Sequence, residues 1–166
     1  MIDLAEIQAA YYMVAATGVL VAAIFYVLNM RATLQTRQAQ LFMQIYLKTT
    51  EKSFMKDGLE ITDEWKWTDF DDYDKKYVAN RDNNAKFMAC SDYFEGLGVL
   101  VKRKLIDPGL VDDLISSGII GFWEKTRPVV EEWRVRHHVP QLNEHVEYLY
   151  DEVKRIAERQ QAVLRT

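Results

Sequence analysis

The sequence predicts an all-α fold, with one N-terminal transmembrane helix continuing as a stalk into a cytoplasmic helical bundle. Three observations predict it. Residues Ala9 to Met30 form an uncharged run of 22 residues. Apolar residues beyond it recur at helical rather than alternating spacing. No stretch of useful length alternates with period two.

The uncharged run comes first. At about 1.5 Å per residue it makes a helix of roughly 33 Å, enough for a hydrocarbon core of about 30 Å. A cleaved leader would have a basic start, a shorter apolar stretch and a small-residue cleavage site. Here Asp3 and Glu6 precede the run and Asn29-Met30-Arg31 closes it. Arg31, Arg37 and Lys48 follow, with no acidic residue before Glu51. The positive-inside rule therefore expects residues 1–8 outside the cell membrane, 9–30 across it as a single pass, and the C-terminal domain in the cytoplasm. The lone Cys90 agrees with that compartment.

From Arg31 to about Met55 there is no Gly or Pro, and Leu34, Leu41, Ile45, Tyr46 and Phe54 share one side. The helix is expected to continue as a stalk over 31–58, stopping at Asp57-Gly58 with Gly58 as its cap. Residues 59–166 are the remaining helical domain. Within it 60–84 reads as an irregular segment dense in aromatics and acids, whose Trp65, Trp67, Phe70, Tyr73 and Tyr77 clip the loop onto the helical body.

Four helices are expected after it. Asn84–Lys104 carries Phe87, Cys90, Phe94, Leu97 and Val101 on a core face. Asp107-Pro108 supplies a cap and a first-turn proline for a short helix to Ser117. Gly118 to Gly121 breaks it, and Phe122 to about Arg136 follows with Pro128 inside. Pro140 opens the last helix. There Leu142, Val146, Leu149, Val153, Ile156, Gln160 and Val163 are spaced 4-3-4-3-4-3, a heptad seam whose expected partner is the stalk, of the same chain or of a neighbouring one.

The composition bounds function. The formal net charge is −4, and removing Asp3 and Glu6 leaves −2 beyond the span. That is no footprint for a nucleic acid, and the Lys102-Arg103-Lys104 triplet reads as complementing a helix C-terminus. His137, His138 and His145 lack metal-ligand spacing, Cys90 sits on an apolar helix face, and no nucleophile elbow, phosphate loop or dinucleotide turn is present. The sequence points to no catalytic residue, no metal and no cofactor.

Two polar or small-residue sets remain. Tyr11, Ala15, Gly18, Ala22 and Asn29 share a face of the span, with Gly18-x-x-x-Ala22 at its centre, and could pack against another helix in lipid. Glu95 is expected to form a structural ion pair with Arg127 or Arg134 across a helix interface.

The order of parts resembles a family of small prokaryotic and phage membrane-anchored proteins of unknown function. The residues that carry the likeness are Glu95 and Gly98 in an E-x-L-G core, Ile106-Asp107 in a turn, and Trp123 and Arg134 on a following helix. The layout is also similar, by architecture alone, to the transmembrane accessory protein of type VI-B CRISPR systems. The expectation is a non-enzymatic membrane-anchored scaffold or assembly subunit, whose partners are the bilayer and either further copies or a larger complex. The alternatives are an oligomeric membrane-perturbing defence effector and a membrane-tethered helical-bundle ribonuclease. The last would want an Arg with a His four to six residues on, whereas Arg134 has His137 and His138 too soon.

Overall fold

The computed structural model describes residues 3–164, with side chains described to Ala162. The fold is all-α, and no strand occurs among the described residues. The chain divides into two units, 1–43 and 44–166.

The first unit is helical from Leu4, within helix α1 (Leu4–Thr49). Asp3 Oδ1 accepts the Ala5 N–H at 3.2 Å, and Glu6 lies in the first turn, so the N-terminal end of the helix is both capped and negatively charged. Hydroxyls along it turn back on the backbone: Thr17 to Met13 O at 2.8 Å, Thr33 to Asn29 O at 2.9 Å and Thr36 to Ala32 O at 3.0 Å. The described side chains from Asp3 to Gln40 are all exposed.

α1 ends earlier than Asp57-Gly58. Thr49 and Thr50 direct their hydroxyls to Tyr46 O at 3.0 and 2.8 Å, and Glu51 turns extended with ψ 121°. Short hydroxyl side chains that bond the preceding turn compete with the helical backbone pattern, and two β-branched residues in a row add to it. Gly58 is no cap; it lies inside α2 (Lys52–Leu59), and no glycine has positive φ.

The segment 60–84 is more ordered than expected. It holds a π-helical turn (Glu60–Glu64), α3 (Phe70–Tyr73), capped by Asp69 accepting the Asp72 N–H, and a second π-helical turn (Asp74–Val78). Its aromatics do fasten it down. Trp65 and Tyr73 are buried, the Trp65 ring stacks on Tyr77 at 4.0 Å, and Phe70 meets Trp133 edge-on at 5.7 Å. Lys125 donates to Trp65 O at 2.8 Å and lies 4.6 Å over the Trp67 ring. Glu60 and Lys86, both four-fifths buried, pair at 2.9 Å; Lys86 holds the Glu60 carboxyl below its usual range and is itself raised by the same bond.

Helix α4 (Arg81–Lys102) starts at Asn80, whose side chain accepts from Asp82 and Asn83 N–H. It stops where Lys104 takes φ 57°, with the Leu105 N–H returned to Leu100 O at 2.9 Å. The basic triplet thus sits at the helix C-terminus.

The two expected middle helices are one, α5 (Pro108–His137). Asp107 caps it, accepting the Gly109 N–H at 2.7 Å, as its sequence implies. The departure from helical geometry is at Ile115 (φ −148°, ψ 16°), three residues before the expected break. Gly118 and Gly121 stay helical because Ile119, Phe122 and Trp123 around them are buried, and packing outweighs about 1 kcal/mol of glycine propensity each. A left-handed His138 (φ 56°) closes α5.

Pro140 does not open the last helix. Residues 140–143 form a turn, Asn143 is left-handed at φ 55°, and α6 runs Glu144–Leu164. Within the second unit the partners of α6 are α4 and α5. Two helices cover its apolar stripe where one long one was expected. Val146, Leu149 and Val153 have no exposed surface, and they pack in the core with Phe94, Leu97 and Trp123. Leu142 falls in the turn and is half-buried, Ile156 is half-buried, and Gln160 is exposed, reaching Asp112 at 3.4 Å. The side chain of Val163 lies outside the described residues.

Candidate functional site

The densest set of long-range polar contacts is where α4 and α5 grip the start of α6. Free N–H groups at a helix N-terminus need acceptors and favour negative charge. Glu95, on α4, supplies both. Its Oε2 accepts the backbone N–H groups of His145 at 3.0 Å and Val146 at 2.9 Å, and its Oε1 contacts His145 Nδ1 at 2.8 Å. Lys102 Nζ lies 3.5 Å from His145 Nε2. An ammonium can only donate, so this arrangement suits the tautomer with the proton on Nδ1, donated to the carboxylate.

Two further bonds hold the turn before α6. Asn143 Nδ2 donates to Ser91 Oγ at 2.6 Å, both residues being buried. Arg134, on α5, donates Nε to Leu142 O at 2.8 Å and Nη1 to Glu147 Oε2 at 2.8 Å. The same guanidinium lies 5.8 Å from the Trp123 ring.

Gly98, one turn along α4 from Glu95, is what lets α6 come this close. A Cβ at Gly98 would sit 2.1 Å from the carbonyl oxygen of His145. The E-x-L-G core therefore has a physical meaning. Glu95 caps the incoming helix, Leu97 is buried, and Gly98 leaves room for its backbone. Ile106 is buried and Asp107 caps α5, so every residue of the diffuse pattern serves the assembly of α4, α5 and α6.

The expected Glu95–arginine pair is not formed. Glu95 is engaged by α6, Arg134 pairs with Glu147, and Arg127 bonds Glu131 one turn along its own helix at 2.6 Å, half-exposed. The register of α4 against α5 was the wrong interface; both charged groups point to the third helix. Ser91, Asn143, His145 and Glu147 had no signal in the sequence, since each finds its partner at a distance that no local spacing encodes. The other two histidines are elsewhere: His137 lies against the Trp133 ring at 5.1 Å, and His138 is the left-handed cap.

On α1, Tyr11, Ala15, Gly18, Ala22 and Asn29 are all exposed, and a Cβ at Gly18 would meet nothing within 4 Å. Cys90 is buried, and burial pushes its thiol up to about 11. No group of three His, Cys, Asp or Glu side chains able to hold a metal occurs among the described residues.

A family model described as a domain of unknown function, DUF4760, matches residues 12–153. The chain belongs to the DUF4760 family. The DUF4760 match starts inside the apolar run and ends at Val153 on α6, so it takes in most of the run and the whole clasp around Glu95. No curated protein and no solved structure matches the chain. Membership of a family of unknown function is thus shown, whereas the likeness to a CRISPR accessory protein has no match behind it.

Proposed function

We propose that this DUF4760 protein is a single-pass membrane protein, its N-terminus outside and its helical unit in the cytoplasm, acting as a non-enzymatic scaffold or subunit of a membrane assembly. One observation carries the reading: the 22-residue uncharged run is helical throughout and wholly exposed. Leaving large apolar side chains in water forfeits about 1.5–3 kcal/mol each, and lipid removes that cost. Inside the run the Thr17 hydroxyl is satisfied by its own helix, as a hydrocarbon surround requires. The family match also includes most of the run, which supports an integral part of the domain over a removable leader.

The bonds of the clasp support a structural role for it: Glu95 holds the start of α6, Asn143 holds Ser91, and Arg134 holds Leu142 O and Glu147. Neither arginine just before His137 and His138 is unpaired: Arg134 is held by Leu142 O and Glu147, and Arg136 pairs with Glu132 and Asp71.

Two measurements test this. A C-terminal reporter that is active only in the cytoplasm should be active, because Arg31, Arg37 and Lys48 hold that side in. Labelling of the C-terminus from outside intact cells would overturn the orientation. For assembly through the span, Gly18→Ile should reduce cysteine crosslinking at position 22 in membranes. Among the described residues a Cβ at position 18 meets nothing within 4 Å, so a loss reports a neighbouring helix. Unchanged crosslinking in the variant, with a wild-type monomer in mild detergent, would end self-association through this face.

A further inference from the structure

The second unit contains an apolar groove, apart from the clasp, with a cavity of about 680 Å³. Residues from the end of α1, α2 and the first π-helical turn line one side, and α5 from Asp113 to Phe122 lines the other. Phe54, Phe94 and Phe122 are buried at its base, while Met55 and Leu59 are 51% and 56% exposed. Ile115, where α5 leaves helical geometry, borders the same space. Exposed apolar surface gathered in a groove marks an interaction site, and an exposed methionine adapts to varied shapes.

The charge of the groove selects the occupant. Its charged lining residues are Asp63 and Asp113, and no Lys, Arg or His lines it. Neither carboxylate forms an ion pair among the described residues; Asp63 accepts the Thr62 hydroxyl at 2.9 Å. The two acids come from opposite sides, one from the π-helical turn and one from α5. We propose that this groove receives an amphipathic helix of a partner protein, with apolar side chains at i, i+3, i+4 and i+7 seated on Phe54, Met55 and Leu59 and with Lys or Arg along its edges facing Asp63 and Asp113. The proposal deepens the scaffold reading by naming the partner's chemistry, and it rests on that reading.

The test uses the full chain in phosphatidylcholine nanodiscs with a photo-crosslinking amino acid in place of Leu59. Two fluorescent helical peptides share one apolar face of Leu and Phe; one is edged with Lys, the other with Glu. The Lys-edged peptide should crosslink saturably and the Glu-edged one should not. Combining Asp63→Asn with Asp113→Asn should weaken the Lys-edged peptide roughly tenfold, less so at high salt. Both carboxylates are on exposed residues, so the fold should persist, with tryptophan fluorescence as the check. The crosslinker in place of Val135, an exposed apolar residue outside the groove, should capture neither peptide. Equal capture of the two peptides, capture at position 135, or crosslinks only to lipid or to a second copy would each overturn the proposal. Such a failure with the C-terminal reporter still cytoplasmic would sink the groove's role and leave the anchored topology standing.

Discussion

Gly98→Ala should unseat α6 and destabilise the helical unit by about 3 kcal/mol or more, at the upper end of what overpacking costs. The new methyl carbon would lie 2.1 Å from His145 O and 2.6 Å from His145 C. Those atoms are backbone, so no side chain can rotate out of the way. Relief requires α4 and α6 to move apart by roughly an ångström, which breaks close packing along the whole contact. It also pulls the Glu95 carboxylate off the His145 and Val146 N–H groups and returns two unsatisfied donors to the start of α6. Gly96→Ala, two residues away, meets nothing within 4 Å and should stabilise by about 0.5–1 kcal/mol through helix propensity. All four tryptophans, Trp65, Trp67, Trp123 and Trp133, lie in the second unit, so fluorescence during denaturant unfolding reads that unit directly. Shifts of the same sign at 96 and 98 would show that the α4–α6 approach is not limited by Gly98.

Val153→Asp should cost on the order of several kcal/mol and release α6. Val153 has no exposed surface, and it sits on the stripe covered by α4 and α5. An aspartate there escapes an unpaired buried charge only by staying protonated, which raises its folded-state pKa above the ordinary value of about 3.9. The unfolded chain ionises at the ordinary value. Unfolding is therefore favoured increasingly as pH rises above about 4, and the variant should be least unstable in acid. Tryptophan fluorescence and thermal melts across that range measure it. Ile156→Asp, at a half-buried position of the same stripe, should cost less. A Val153→Asp protein as stable as wild type at neutral pH would mean the α6 stripe is not packed.

The 4-3 spacing along α6 marks the side on which Val146, Leu149 and Val153 are buried, and the cover over them comes from α4 and α5. Spacing reports which residues of a helix want burial, and says nothing of which surface buries them. Glu95 shows the same limit. Its place beside Phe94 and Leu97 marked it as an interface carboxylate, and an arginine is the commonest cation to expect there. The partner is instead a helix terminus, made of backbone N–H groups that every sequence possesses and none advertises.

Caps divide along the same line. Asp107-Pro108 was legible because a cap bonds N–H groups two residues on, within its own sequence window. Lys104, His138 and Asn143 were not, since each adopts positive φ without being glycine. Gly58, Gly118 and Gly121 misled for the converse reason: glycine permits a break, and whether the chain takes it depends on what packs against the turn.

By itself the sequence determined the uncharged 22-residue helix, the all-α character of the described residues, the apolar faces of α4 and α6, and the cap of α5, because each is written in residues close together along the chain. Only the tertiary structure decided that α4 and α5 clasp the start of α6, that Gly98 is where the backbones meet, and that an acid-edged groove opens beside the α5 kink. Those features join residues tens of positions apart. Their partners are selected by the free energy of packing the whole unit, which no local window contains.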